Sequence, residues 1–136
     1  MLVAFILWRS RVSSAPRRAY RADQKLRNPL TAEEFCRQAG LPLEDAAVAQ
    51  KFRESFAAIA MCDAARIYPN DSLVGLGFEW DDDVAMHLTR EGLLHHPDHE
   101  YTFPLEQVSG FSDLIVVAKK LNKEALARRA SIDGAA

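Results

Sequence analysis

Between Leu43 and Ala65 the chain places Val48, Phe52, Phe56, Ile59 and Ala60 at three- and four-residue spacing, its strongest periodic signal. Such spacing puts apolar side chains on one stripe of a 3.6-residue helix. A half-buried strand would instead alternate at every second residue, and no stretch shows that alternation joined by hairpin turn residues. The signal predicts a helix over about 43–65 and an all-α fold. With 136 residues, 49% of them apolar, the chain has the length of one domain and enough nonpolar side chains for a real core. It carries no internal repeat, heptad array or low-complexity tract.

Caps and breakers place the other elements. Thr31-Ala32-Glu33-Glu34 fits a capping box, in which the Thr hydroxyl accepts from a free amide and the Glu reaches back, so a short helix runs over 32–39 until Gly40 and Pro42 stop it. Pro69, Asn70, Gly75 and Gly77 make 66–79 a loop anchored by Ile67, Leu73, Leu76 and Phe78. Asp81, Asp82 and Asp83 open the next helix, where their charge complements the dipole, and Val84 and Leu88 continue its buried face. Gly92 and Pro97 end that pattern, and Phe103-Pro104 lead into a short turn or helical piece. The last helix opens near Ser112 and runs to about Arg128, with Leu114, Ala118, Leu121 and Ala125 on one side and Lys119, Lys120, Lys123, Arg128 and Arg129 towards its C-terminal end. The helical domain spans 31–130, and residues 131–136 read as a disordered tail.

The net charge of −2 conceals a division. Residues 1–29 hold seven Arg or Lys against Asp23 alone, the stretch 63–113 holds eleven acids against Arg66 and Arg90, and the chain from Leu114 onward is +3. An acidic middle suggests a basic protein partner for the domain, and a basic arm suggests an anionic surface. The arm opens on Met1 to Trp8, eight apolar residues followed by Arg9 and Arg11. A spanning helix needs about 20 such residues, and a secretory signal would place its basic region first. Apolar residues followed by basic ones fit the cytoplasmic end of an anchor or an interfacial contact with anionic lipid through residues 1–11; a disordered arm is the plainer alternative. The expected location is the cytoplasm or the cytoplasmic face of a membrane. No nucleic acid is expected as a partner, because only Trp8 and Tyr20 stand near the arm's cations to stack on bases. Residues 10–30, with their serines, prolines and arginines and no apolar period, read as a basic flexible linker.

Candidate chemistry is sparse. His95, His96, Asp98, His99 and Glu100, with His87 upstream, carry metal-ligand types, but around Pro97 they follow no recognised ligand spacing, and a solvated polar loop is the expected reading. Asp81 to Asp83 lack the alternating spacing and turn glycine of a calcium loop. Cys36 and Cys62, without a Cys-x-x-Cys pair, read as reduced core thiols. Trp80, beside three acids, reads either as a core plug at the helix start or as a partner-binding anchor. Arg128-Arg129-Ala130-Ser131 resembles a basophilic kinase site placed in a frayed tail. The chain has no Gly-rich phosphate loop, nucleophile elbow, His-Glu-x-x-His or spaced Cys quartet, so no catalytic centre and no metal site is expected.

In order along the chain, Ser72-Leu73, Leu76-Gly77, the acidic opening Asp81-Asp82-Asp83, Phe103-Pro104 and Asp113-Leu114-Ile115 resemble the acyl carrier protein family over roughly Val48 to Leu121. The resemblance implies a small four-helix bundle, without catalysis of its own, that presents an acidic helix to basic partners. Where a carrier has its modifiable serine this chain has Trp80. The resemblance therefore implies a divergent carrier-like adaptor with a partner-binding surface at Trp80, Asp81, Asp82, Asp83 and Val84. Its alternative is a true carrier bearing phosphopantetheine on Ser72, the serine of Asp71-Ser72-Leu73. Against that alternative, Gly75 and Gly77 argue that Ser72 lies in a loop rather than at a helix start. A third reading, outside the family, is a membrane-tethered helical regulatory protein.

Overall fold

Residues 15–95 and 103–135 are described by a computed structural model. Among the described residues are six α-helices and no strand, as the periodicity predicts: α1 over 15–24, α2 Ala32–Ala39, α3 Ala46–Ala60, α4 Leu73–Leu76, α5 Asp81–Arg90 and α6 Phe111–Ala135. Single 3-10 turns among the described residues stand at Leu43–Asp45, Ala64–Arg66 and Leu105–Gln107. Where the sequence reads as one domain over 31–130, the chain groups into two compact units, one ending at Phe78 and the other beginning at Glu79.

In the first unit α2 has the boundaries its caps predict. Glu34 N–H donates to Thr31 Oγ1 at 3.1 Å, Thr31 N–H donates to Glu34 Oε1 at 3.4 Å, and Gly40 closes the helix in the left-handed region at φ 73°. The helix expected over 43–65 is shorter. Its first residues form the 3-10 turn, and Met61, at φ 55°, ends α3 with its N–H on the Ala57 carbonyl. A left-handed residue without glycine is a stop that residue type does not advertise.

The buried stripe of α3 also differs from the predicted one. Phe52, Phe56 and Ala60 face inward as expected, but Val48 is 42% and Ile59 51% exposed, and the stripe is completed by Ala49, Arg53 and Ala57. The reason is Arg53, whose side chain is wholly buried. Its Nη2 donates to the Leu30 and Ala65 carbonyls at 3.1 and 2.6 Å, its Nη1 donates to Gln50 Oε1 at 3.2 Å, and the guanidinium lies 5.0 Å from the Phe35 ring centre. Bonded carbonyls and an aromatic face let a cation occupy a core position that apolar counting assigns to its neighbours. Burial still holds the Arg53 guanidinium below the ordinary arginine value, with Asp63 acting in the opposite sense. Around it the apolar core is built from Phe35, Cys36, Phe52, Phe56, Ile67, Leu76 and Phe78, and the Phe56 and Phe78 rings pack 4.8 Å apart at a tilt of 49°. Each fully buried Phe contributes about 1.5–3 kcal/mol by leaving water.

The flexible-linker reading of residues 10–30 is corrected for the described part, because 15–24 are the helix α1. The inner face of α1 is made by Tyr20 and Gln24, four residues apart and 8% and 3% exposed, so it packs through an aromatic ring and an amide rather than an apolar stripe.

In the second unit α5 buries Val84, Ala85 and Leu88, and α6 buries Leu114, Ala118, Leu121 and Ala125 as predicted, together with Phe111, Ile115 and Val117. Asp113 draws the chain before α6 against the helix, accepting from Ser109 Oγ at 2.6 Å, Ser109 N–H at 3.0 Å and Gly110 N–H at 3.2 Å. Those bonds to Ser109 hold the Asp113 carboxyl below the ordinary aspartate range. Asn122 fixes the chain after α5, donating to the Leu93 carbonyl at 2.9 Å and accepting from His95 N–H at 2.7 Å. The disordered-tail reading of 131–136 is corrected up to Ala135, where α6 ends. Residues of high helix propensity such as Ala, Leu and Arg extend it past Ala125, the last buried position among its described side chains. Among the described residues no helix is long and apolar enough to cross a membrane. The apolar run at 1–8 lies outside the described residues.

Candidate interaction site

The opening of α5 gathers the residues that the sequence marks for partner binding. Trp80 is its N-cap, in extended backbone at φ −116° and ψ 143°, and its carbonyl accepts the first helical bond from Val84 N–H at 3.2 Å. The Trp80 side chain makes no capping bond, and the residue is 56% exposed. The core-plug reading of Trp80 is thereby overturned, because this indole sits outside the buried stripe carried by Val84 and Leu88. Asp81, Asp82 and Asp83 are all exposed in the first turn. Asp82 N–H donates to Asp81 Oδ1 and Asp83 N–H to Asp82 Oδ1, each at 2.9 Å, so two of the carboxylates engage amides that the helix leaves free. No ion pair to Asp81, Asp82 or Asp83 forms among the described residues.

Val84 does not belong to this surface. It is fully buried, one helical turn before Leu88 on the inner face. Its place in the predicted binding set is corrected: helical periodicity separates it from its acidic neighbours. What remains is an exposed indole with three adjacent carboxylates and, on the same helix, Met86 at 41% exposure.

Ser72 lies elsewhere in the fold, in the first unit. It is exposed and caps α4, its Oγ accepting from Val74 N–H at 3.2 Å. Within the loop expected over 66–79, Leu73–Leu76 form this short helix, which Gly77 at φ 104° ends after four residues, so Ser72 stands at a helix start rather than in plain loop.

The residue just before Ser72 forms a feature that sequence reasoning misses. Asp71 is 6% exposed and accepts from Tyr20 Oη at 2.6 Å, from Arg27 Nη1 at 2.7 Å and from Tyr68 N–H at 2.9 Å. The Arg27 guanidinium lies 4.6 Å from the centre of the Tyr68 ring and 5.4 Å from that of Tyr20, and its Nη2 also reaches Asp23 Oδ2 at 2.7 Å. Burial works against the charge on Arg27, but its bonds to Asp71 and Asp23 outweigh that and hold its proton above the ordinary arginine value. Gln24 adds a two-way amide contact with the Asp63 backbone, both bonds 3.3 Å. The spacings Tyr20 to Gln24 and Asp23 to Arg27 are the sequence signals that could reveal this clasp, since residues four apart share a helix face. The clasp ties α1 and the turn after it to the chain between Asp63 and Asp71.

Cys36 is buried and Cys62 half-buried, both unpaired, and burial pushes both thiols up, away from the reactive thiolate. Of the histidine and acid cluster, His95 is exposed, while His96, Asp98, His99 and Glu100 lie outside the described residues. Arg128 to Ser131 are exposed within α6 rather than in a frayed tail. Compared with family models, curated proteins and solved structures, the chain matches none.

Proposed function

We propose that the protein is a non-catalytic adaptor that presents the opening of α5 to a basic protein surface. The observation that carries this reading is the exposure of Trp80 beside three carboxylates that no Lys or Arg neutralises among the described residues. A large aromatic supplies buried area and acts as a binding hot spot, while adjacent like charges steer an oppositely charged partner and set the salt dependence. The order of elements also supports likeness to acyl carriers: α3, a long connection, the acidic α5, the turn at Leu105–Gln107 and then α6. Affinity capture from the protein's own cells tests the reading, with wild type compared against Trp80→Ala and an Asp81→Asn, Asp82→Asn, Asp83→Asn chain. A cationic protein released by rising salt and lost with both variants is expected; equal retention by all three chains rejects the adaptor.

A second reading, a carrier bearing phosphopantetheine on Ser72, is favoured by one observation: Ser72 is exposed and opens a helix. Intact mass after coexpression with a broad-specificity phosphopantetheinyl transferase decides it. A phosphopantetheine-sized gain that disappears in Ser72→Ala makes the protein a carrier, and an unchanged mass leaves the adaptor.

A further inference from the structure

We propose that the outer face of α1 docks on an anionic membrane surface, a second binding site that uses none of the residues at the opening of α5. The clasp fixes which way α1 faces. Tyr20 and Gln24 turn inward, Asp23 is tied to Arg27, and Arg17 Nη2 donates to the Gly77 carbonyl at 3.0 Å. These contacts occupy the helix's one acid and leave the side chains of exposed Arg18 and Lys25 and half-buried Arg21 without a hydrogen bond or ion pair among the described residues. At positions i, i+3 and i+7 the three cations share one face. Exposed Ala15, Ala22 and Leu26, the last 87% exposed, border that stripe on its other edge. The surface thus offers cations for lipid phosphates beside an apolar margin for the headgroup boundary.

The sequence just upstream identifies the occupant. Six residues, Arg9 and Arg11 among them, separate Ala15 from the end of the apolar run Met1 to Trp8. A short apolar segment alone binds a bilayer weakly, as does a basic patch alone, and stable peripheral attachment takes both signals together. A nucleic-acid face would set aromatic side chains among its cations for base stacking, whereas Tyr20 is turned inward and bonded to Asp71. Because Arg18 and Arg21 stand on a formed helix and Lys25 in the turn that closes it, with its N–H on the Arg21 carbonyl, membrane contact need not order their backbone.

Cosedimentation of the full chain with vesicles tests the proposal, using phosphatidylserine-containing vesicles against pure phosphatidylcholine. Binding to the anionic vesicles that weakens with added salt is expected. Arg18→Gln, Arg21→Gln and Lys25→Gln together should lower the partition coefficient roughly 100-fold, about fivefold for each cation withdrawn, with helix content by circular dichroism unchanged. Deleting Met1 to Trp8 should weaken binding while keeping the preference for anionic lipid. Equal binding to both vesicle types, or a triple variant that binds as wild type does, overturns the proposal. So does a chain that ignores vesicles but binds duplex DNA, which would give the face to nucleic acid.

Discussion

The Tyr20 hydroxyl donates to Asp71 Oδ2 across 2.6 Å, a bond between residues 51 positions apart that fastens α1 to the loop before α4. Arg27 Nη1 reaches both oxygens of the same carboxylate at 2.7 Å. One buried carboxylate therefore answers a phenol, a guanidinium and a backbone amide, and its charge is the centre of the arrangement.

Asp71→Asn keeps the shape of the side chain and removes the charge. Breaking one side of a buried ion pair costs about 3–5 kcal/mol, and because Arg27 retains 18% side-chain exposure the loss should fall near the lower end. Tyr20→Phe removes one bond to a charged acceptor and should cost about 1.5–3 kcal/mol. Urea unfolding measures both. Limited trypsin digestion supplies the local readout: release of α1 should speed cleavage at Arg17, Arg18 and Arg21 in Asp71→Asn far more than in Tyr20→Phe.

The clasp also predicts an alkaline limit. Burial, followed by the bond to Asp71 and its negative charge, holds the Tyr20 phenol far above its ordinary value of 10.0. The folded chain thus binds this proton more tightly than the unfolded chain. Its contribution to stability is complete below about pH 10 and is lost as pH rises from there towards the folded value. Phenolate absorbance followed with pH should show Tyr20 ionising only as the fold is lost. In Tyr20→Phe that late phase should be missing and the alkaline decline in stability shallower; an unchanged titration would refute the assignment.

Two left-handed glycines should respond differently to the same change. At Gly40, φ 73°, an added Cβ meets nothing within 4 Å, so Gly40→Ala bears only the conformational penalty of about 1 kcal/mol. At Gly77, φ 104°, the Cβ would stand 2.8 Å from Arg17 Nε, so Gly77→Ala should also dislodge the Arg17 bond and cost about 2 kcal/mol. In an Arg17→Ala background the extra penalty at Gly77 should vanish. Equal costs at the two glycines would show that Arg17 does not hold α1 to this turn.

The elements legible in the sequence are those whose signal is local. The Thr31 and Glu34 cap with the Gly40 stop gave both ends of α2, and the stripe Leu114, Ala118, Leu121 and Ala125 gave the inner face of α6. What hid α1 is that its inward residues are Tyr20 and Gln24, types that no apolar period counts, and that their partners at Asp63 and Asp71 are remote in sequence. Arg53 displaced the stripe of α3 for a related reason, since its acceptors are the main-chain carbonyls of Leu30 and Ala65. At the opening of α5 the three aspartates were readable from the dipole. The direction of Trp80 was not, because a residue in extended backbone at a helix cap does not follow the helical period that assigns Val84 and Leu88 to the interior.

The span of the clasp has a consequence during synthesis. The long-range bonds from Arg17, Tyr20, Gln24 and Arg27 end between Asp63 and Gly77, so α1 leaves the ribosome before any of these distant partners exists. At about 5–20 residues per second, the roughly 50 residues separating the two sides take several seconds to follow. Through that interval Tyr20 and Gln24 have nothing to close on, while Arg18, Arg21 and Lys25 are already displayed. A chain built this way displays these cations before its first unit is complete, which happens only when the turn at Gly77 arrives.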